Sequence, residues 1–515
     1  MHSLNHNNFY ITTPIYYVND IPHIGHAYTS LTCDVIARFM RLNGKKVMFL
    51  TGTDEHGQKV EKSALNKNLP PKNFTDEMSL SFRNLLEQLD ITNSDFIRTT
   101  EERHKIAVRA FWQKLKENGD IYLGKYSGWY SIRDEAFYDK SELTPDDLAP
   151  TGAPVEWVEE SSYFFALSKW QDKLLEFYEN NPDFIKPKTR RNEVISFVKN
   201  GLIDLSISRT SFKWGIEVPQ DEKHVIYVWL DALANYISAL GYPDQTGNYN
   251  KFWPADIHVV GKDILRFHAV YWPAFLMSAG LKLPKTIFAH GWWTNEGQKI
   301  SKSLGNTIDP IKLISDFGVD QVRYFLLREV IFGNDGNYSK ESFLQRNNSE
   351  LANKIGNLMQ RTCSFIFKNC QEKMPNVSEE FIDLLYESDH FINLQKIVKD
   401  SITQMENYNI NTVLDNIIHI TEGANIYIDK EAPWTLKNSD VKKMHEVLYR
   451  LVETLRYIAI LMQAFTPNSA TKMLDQLGVS KIERNFIHLN KNFAIKPGGK
   501  IEAPSPIFPR LENLS

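Results

Sequence analysis

At 515 residues, 42% of them hydrophobic and 24% charged, the chain is too long for one ordinary core and too apolar for disorder, so a globular protein of several domains is expected. A formal net charge of −4 supplies no overall attraction to nucleic acid, and any RNA contact must come from local patches. Cys33, Cys363 and Cys370 cannot build a disulfide framework and suit a reducing compartment. No signal-peptide pattern and no apolar run of membrane-spanning length is present, so a cytoplasmic location without membrane contact is expected.

Phe9 to Thr13 reads as a strand, and Pro14 turns the chain toward His23-Ile24-Gly25-His26. Ala27 to Leu42 follows as a helix, with Leu31, Val35, Ile36, Phe39 and Met40 at helical spacing. Two imidazoles at a helix start can donate ring N–H groups to phosphate oxygens, and the helix amides can join the same anion site. Gly25 removes a side chain where a nucleotide must lie close to the backbone. Lys46 to Thr51 is a second strand, running into Gly52-Thr53-Asp54-Glu55-His56-Gly57. Strand, loop, helix, strand is the parallel-sheet pattern, in which ligands collect at the carboxyl ends of strands. The histidines and Asp54 fall there.

From about Tyr122 to Glu222, aromatics, prolines and acidic residues mix with short strand-like runs, which reads as an insertion dividing the sheet. The basic cluster Lys186, Lys188, Arg190 and Arg191 within it reads as a solvated loop. His224 to Tyr236 resumes as a strand leading into a helix, Ile257 to Val260 is another strand, and Gly261-Lys262-Asp263 opens a helix over Ile264 to Ala279. Ile287 to Trp293 is a further strand feeding Lys299-Ile300-Ser301-Lys302-Ser303, a segment flanked by Gly297 and Gly305. Such a loop can close two ammonium groups onto a triphosphate. Asp309-Pro310 marks a helix start.

Beyond about Asn348 the pattern is almost wholly helical. Leu351, Ile355, Leu358, Thr362, Phe365 and Ile366 make an apolar face, and Asn353, Asn357 and Arg361 follow one another at i+4 steps on the other side. By periodicity alone that stripe is a solvated face. The same side chains can also hydrogen-bond and stack on splayed bases.

An H-x-G-H string alone serves many turns, and K-x-S-K-S many solvated loops. In this order and separation they resemble the HIGH and KMSKS elements of class I aminoacyl-tRNA synthetases, which open ATP at its α-phosphate. Attack there by a carboxylate needs positioning and preorganised positive charge more than a nucleophile. Longer runs narrow the resemblance to the bacterial-type methionyl-tRNA synthetases: Thr12-Thr13-Pro14-Ile15-Tyr16-Tyr17-Val18-Asn19, Thr51 to Gly57, Asp204 to Arg209, Val228-Trp229-Leu230-Asp231-Ala232 and Gly261 to Ile264.

That resemblance implies an α/β fold with a split Rossmann catalytic domain over 1–118 and 224–285, divided by a connective insertion at 119–223. A stem-contact segment with the lysine loop at 286–347 and an all-α helical-bundle anticodon-binding domain at 348–515 complete it. It implies catalytic roles for His23, His26, Lys299 and Lys302, with Gly25 and Ser301 also at the ATP. By the same resemblance Asp54 holds the α-amino group of L-methionine, and Ile15, Tyr17, Trp229, Ala232, Leu233, Tyr236, Ile264 and His268 form the thioether pocket. Aromatic and branched apolar groups suit a flexible thioether, and Tyr17 and His268 can add polar contacts near the sulfur. Asn353, Asn357 and Arg361 fall where the family reads the anticodon, and Trp434 where it stacks on an anticodon base. ATP with Mg²⁺, L-methionine and tRNA(Met) are the implied reactants.

One departure stands out. Many relatives carry zinc-binding cysteines in the insertion, whereas the run Trp129 to Glu135 and the region near Leu148-Ala149-Pro150 hold none. A knuckle without structural zinc is therefore expected. After Pro504 to Glu512 no appended module follows, and a monomer is expected. Synthetases for isoleucine, valine and leucine usually need an editing insertion for which this chain has no room; the cysteine enzyme needs a zinc thiolate site that its cysteines do not supply. A non-catalytic tRNA-binding protein has no need of the histidine and lysine elements.

Overall fold

A computed structural model describes residues 7–134, 136–300 and 306–512; Ser301, Lys302 and Ser303 of the lysine loop lie outside this set. The chain divides into two units, one of Met1–Pro22, Val47–Glu87 and Asn93–His290, the other of His23–Lys46, Gln88–Thr92 and Gly291–Ser515.

In the first unit a seven-stranded sheet runs in the order Tyr16–Tyr17, Lys46–Asp54, Asn8–Thr12, Ile257–Gly261, Ile287–His290, Ile185–Lys186, with Asp95–Arg98 also paired to Lys46–Asp54. The pairs Ile11↔Ile257, Val259↔Phe288, Tyr17↔Asp54 and Gly52↔Ile97 are parallel, as the strand–helix alternation predicts. Strand order reverses between Asn8–Thr12 and Ile257–Gly261, and in such sheets ligands collect at the carboxyl ends beside the switch. Gly52 is demanded by packing: a Cβ there would lie 2.0 Å from the carbonyl oxygen of Ile97. Phe111, Trp112, Phe165, Trp272 and Phe275 fill the core behind the sheet.

The helix expected over Ile264 to Ala279 is not continuous α-helix. A 3₁₀ turn at Lys262–Ile264 leads into a π-helical turn at Phe267–Tyr271 and only then into α-helix at Trp272–Ser278. The wider turn carries His268, and π turns inside helices concentrate at functional sites.

The insertion is an antiparallel sheet in the order Ala136–Tyr138, Ile121–Ser131, Glu156–Phe165, Leu205–Ser206. Its strand Ile185–Lys186 joins the edge of the parallel sheet, and Lys188–Lys199 is a helix where a loop was expected. At the cysteine-free knuckle, Arg133 Nη2 donates to the carbonyl and hydroxyl of Thr151 at 2.7 Å each, and the Asp134 carboxylate accepts from the hydroxyls of Thr151 and Tyr138. Trp129 packs edge-on against Trp157 at 5.4 Å. Among the described residues, no group of three or more His, Cys, Asp and Glu side chains could hold a metal ion.

The second unit joins the helix Ile24–Leu42 to a three-stranded sheet of Gln298–Lys299, Trp293–Asn295 and Gly336–Tyr338 and to the helices that follow. Asp309 caps helix Pro310–Phe317 by accepting from the Ile311 amide at 2.9 Å, as its position predicts. The long helices Asp389–Glu406, Ile410–Glu431 and Val441–Met462 bury continuous apolar faces against one another. Residues Asn347–Gly356 are π-helical and Asn357–Asn369 α-helical. All three cysteines are buried. Among the described residues no helix is long and apolar enough to cross a membrane.

Candidate active site and base-facing helices

Asp54 ends the strand Lys46–Asp54 and is 7% exposed, with Tyr17 as its parallel neighbour. The turn beyond it is held from several sides. Arg98 grips the Glu55 carboxylate through Nε at 2.6 Å and Nη2 at 3.0 Å, and Thr53 adds a hydroxyl donor at 2.7 Å. The Trp214 indole donates to the Glu55 carbonyl at 2.5 Å, and the Gly57 amide donates to the Trp214 carbonyl at 3.0 Å. His56 Nδ1 donates to Asp231 at 2.7 Å. Asp231 lies on helix Val228–Leu233, which also carries Trp229, Ala232 and Leu233.

Trp229 lies flat on Phe267, with ring centroids 3.6 Å apart and planes 5° from parallel, and meets His268 edge-on at 6.3 Å. Tyr236 is hydrogen-bonded through its hydroxyl to His268 Nε2 at 2.7 Å, while His268 Nδ1 lies 2.9 Å from the Ile264 carbonyl. A carbonyl only accepts, so the ring proton sits on Nδ1, and Nε2 accepts from the phenol. Burial holds this imidazole down to about 4, against a smaller upward pull from the Ile264 carbonyl and the Asp263 carboxylate. His268 is therefore neutral at pH 7. Tyr236 also stacks on His258 at 4.0 Å, and Tyr10 donates to the Tyr236 carbonyl at 2.8 Å.

The structure thus links Trp229, Tyr236, Ile264 and His268 in one contiguous wall. Ala232 and Leu233 are buried on the Trp229 helix, and Ile15, Tyr17, Trp229 and Ile264 remain partly exposed where they pack on the core. Phe267, His56, Asp231 and His104 belong to the same constellation without having been singled out from sequence. His56 and Asp231 stand inside the runs Thr51 to Gly57 and Val228 to Ala232 that carry the resemblance, whereas Phe267 and His104 had no sequence signal.

In the second unit His23 caps the helix Ile24–Leu42. Its Nδ1 accepts from the Gly25 amide at 3.1 Å, and His26 Nδ1 accepts in turn from the His23 amide at 3.1 Å. With both Nδ1 atoms accepting, each neutral ring carries its proton on Nε2. Burial and the neighbouring His23 push the His26 pKa well below its ordinary value, so that ring is neutral. The rings lie 3.9 Å apart. The Gly25 and His23 amides are engaged in the cap, and a Cβ on Gly25 would also stand 2.9 Å from His23 Cε1.

The lysine segment leaves a tight hairpin. Thr294 pairs with Lys299 and Asn295 with Gln298, and Glu296 and Gly297 turn the chain with φ of 50° and 76°. Asn337 accepts from the Gly297 amide at 2.8 Å, and Asn295 donates to the Asn306 carbonyl at 2.8 Å. Ser301 and Lys302 themselves lie outside the described residues, and of Lys299 only the strand position is described.

On the helical side, Asn353 and Asn357 are exposed, the first in the π stretch and the second opening the α-helix. Arg361 donates to Asp429 at 2.6 Å, and its guanidinium lies 5.6 Å from the centre of the Trp434 ring. Trp434 is 42% exposed, set out by Ala432 in the left-handed region at φ 42° and by Pro433 at the start of the next helix.

Residues 9–363 match the family model of class I tRNA synthetases of the M type, and residues 385–514 match the anticodon binding domain of methionyl tRNA ligase. The methionine–tRNA ligase of Rickettsia felis is 69% identical over 506 residues, covering 98% of this chain and 99% of that one. The methionine–tRNA ligase of Rhizobium meliloti is 52% identical over 510 residues, covering 98% of each. The solved structure of Mycobacterium tuberculosis methionyl-tRNA synthetase in complex with methionyl-adenylate superposes with a TM-score of 0.93 at 46% identity, covering 98% of this chain and 100% of that one. The chain belongs to the methionyl-tRNA synthetases of class I.

Proposed function

We propose that this chain is a methionine–tRNA ligase, activating L-methionine with ATP to methionyl-adenylate and transferring it to the 3′ end of tRNA(Met) for initiation and elongation. The observation that carries the reading is the buried Asp54 carboxylate at a strand end, its turn tied to the helix of Trp229 by the His56–Asp231 bond. A carboxylate there suits the α-ammonium group, and the Trp229, Tyr236 and His268 wall, with Ile15, Tyr17, Ala232, Leu233 and Ile264, suits a thioether. A neutral His268 keeps the pocket free of charge, as an uncharged side chain requires.

In the first step the substrate carboxylate attacks the α-phosphorus of ATP and pyrophosphate leaves. The reading gives His23 and His26 the task of donating Nε2–H groups to phosphoryl oxygens, with Gly25 and Ser301 also at the nucleotide. Lys299 and Lys302 stabilise the departing pyrophosphate. In the second step a terminal ribose hydroxyl of tRNA attacks the activated carbonyl and AMP leaves. Neither step uses a side-chain nucleophile. Mg²⁺ would accompany ATP and supply positive charge to its phosphates.

The reading assigns 1–118 and 224–285 to catalysis, 119–223 to the connective insertion without zinc, 286–347 to the stem-contact segment and 348–515 to the anticodon. Asn353, Asn357, Arg361 and Trp434 face anticodon bases. The enzyme acts as a monomer in the cytoplasm. ATP–pyrophosphate exchange with each amino acid in turn is the test. Exchange driven by methionine alone supports the reading, and exchange driven by another amino acid, or by none, overturns it.

A further inference from the structure

We propose that Asp231 is a positioning residue for substrate recognition, setting the Asp54 carboxylate against the ammonium group by clamping two elements at once; the proposal rests on the methionine-binding role given above to Asp54. Asp231 is fully buried, and each of its oxygens takes one imidazole: Oδ2 accepts from His56 Nδ1 and Oδ1 from His104 Nε2, both at 2.7 Å. His56 stands two residues after Asp54. His104, on helix Glu102–Glu117, is bonded in turn through Nδ1 to the Ser238 hydroxyl at 2.8 Å. Ser238 ends the short helix Asn235–Ser238 that carries Tyr236.

The chain of contacts His56–Asp231–His104–Ser238 therefore ties the Asp54 turn to both helices that wall the thioether pocket. None of its members faces that pocket as a named ligand, and His56, Asp231, His104 and Ser238 are all 3% exposed or less. Buried polar groups of this kind are held in place because each alternative leaves a donor or acceptor unmet. Arg98 also grips this turn through Glu55. His56 joins it to the Trp229 helix by a side-chain bond through Asp231.

Carboxylate chemistry is required. A carboxylate presents acceptors on both oxygens, whereas the amide of an Asp231→Asn protein presents one acceptor and one donor. One imidazole N–H would then face an N–H₂ group, and where that imidazole is His56 the Asp54 turn loses its anchor. The consequence falls on recognition of the ammonium group, not on ATP.

The experiment compares binding of L-methionine with binding of 4-(methylthio)butanoic acid, the same molecule without its amino group, by calorimetry. The expected result for Asp231→Asn is at least a fivefold loss for L-methionine, less than a twofold change for the desamino acid, and an unchanged KM for ATP. His56→Ala should repeat that pattern. His56→Asn, which keeps an N–H donor near the Nδ1 position, should recover most of the loss. Equal weakening of both ligands by Asp231→Asn and His56→Ala marks a merely structural role and overturns the proposal, as does normal methionine binding in both. Should Asp231→Asn not fold, the His56 pair decides alone. Asp54→Asn is measured alongside: if it leaves L-methionine binding unchanged, the role of Asp54 fails, and Asp231 with it. If Asp54→Asn selectively weakens L-methionine and the Asp231 and His56 variants do not, only the positioning role falls.

Discussion

The Tyr236 hydroxyl donates to His268 Nε2 at 2.7 Å because the Ile264 carbonyl has already claimed the proton on Nδ1. The phenol's proton is thereby committed, and its oxygen offers only acceptor capacity toward a ligand. Tyr236→Phe leaves Nε2 buried without its donor, at a cost of about 1–3 kcal/mol. The KM for methionine in pyrophosphate exchange should rise about tenfold, with the KM for ATP unmoved. An unaltered methionine KM would remove this bond from the recognition of the side chain.

The same imidazole makes stability depend on pH. Its folded pKa is about 4, below the ordinary histidine value near 6.5. As pH falls through 6.5 the unfolded chain takes up a proton that the folded one refuses until about 4, so the unfolded state binds more protons in that window and stability falls. The full contribution is present above pH 6.5, and about 3 kcal/mol is lost on reaching pH 4. His26 and His258, lowered by burial in the first place, act in the same direction. Asp231 acts at lower pH. Burial works to raise its carboxyl, His56 and His104 outweigh it and hold it at about 2, and its contribution is lost as pH drops from the ordinary carboxylate range through that value. Urea unfolding between pH 4 and 7 should give a shallower pH slope for His268→Gln than for the unmodified chain. Equal slopes would contradict a neutral buried His268.

Much of this was legible in the residues and some was not, for identifiable reasons. The strands at Asn8–Thr12, Lys46–Asp54 and Ile257–Gly261 follow from apolar runs bounded by turns, and the Asp309 cap from its side chain and Pro310. The π turns at Phe267–Tyr271 and Asn347–Gly356 do not, because one extra residue per turn barely alters an apolar stripe. His23, His26 and Asp54 stand in strings whose chemistry can be read locally. The pair His56 and Asp231 lies 175 residues apart, and Phe267 under Trp229 depends on a π turn that sequence did not reveal. Gly25 shows the remaining difficulty. Its smallness was plain, but the close approach of the His23 ring, 2.9 Å from where a Cβ would stand, was not.

Within the second unit, Asp34 of the His23 helix and Arg323 form a fully buried ion pair at 2.8 Å. Arg323 also donates to the carbonyls of Leu89, Phe465 and Ala464 at 2.8, 3.0 and 3.0 Å, which fastens that helix to the end of helix Val441–Met462. Removing one partner of such a pair strands the other charge, at about 3–5 kcal/mol. Arg323→Met should lower the unfolding free energy by that amount, although Arg38 and Thr92 still hold Asp34. A loss below about 1 kcal/mol in denaturant unfolding would show that these two residues compensate.

Arg361 and Trp434 make the last case, because the anticodon role proposed for them can be tested apart from the chemistry of activation. The guanidinium is held by Asp429 at 2.6 Å and lies 5.6 Å from the indole centre, while the indole keeps 42% of its surface exposed. An exposed aromatic braced by a cation is a stacking platform already ordered before a base arrives, so little conformational entropy opposes binding. Stacking is worth about 1–3 kcal/mol per base, so Trp434→Ala should raise the KM for tRNA(Met) about tenfold to a hundredfold. Exchange of pyrophosphate into ATP without tRNA should be unchanged, since neither residue has a part in that step. Asp429→Asn frees the guanidinium from its partner and should weaken charging to a smaller degree than loss of the ring. If Trp434→Ala charges tRNA(Met) normally, the indole is a solvated surface aromatic and the base-facing role of this helix pair is lost.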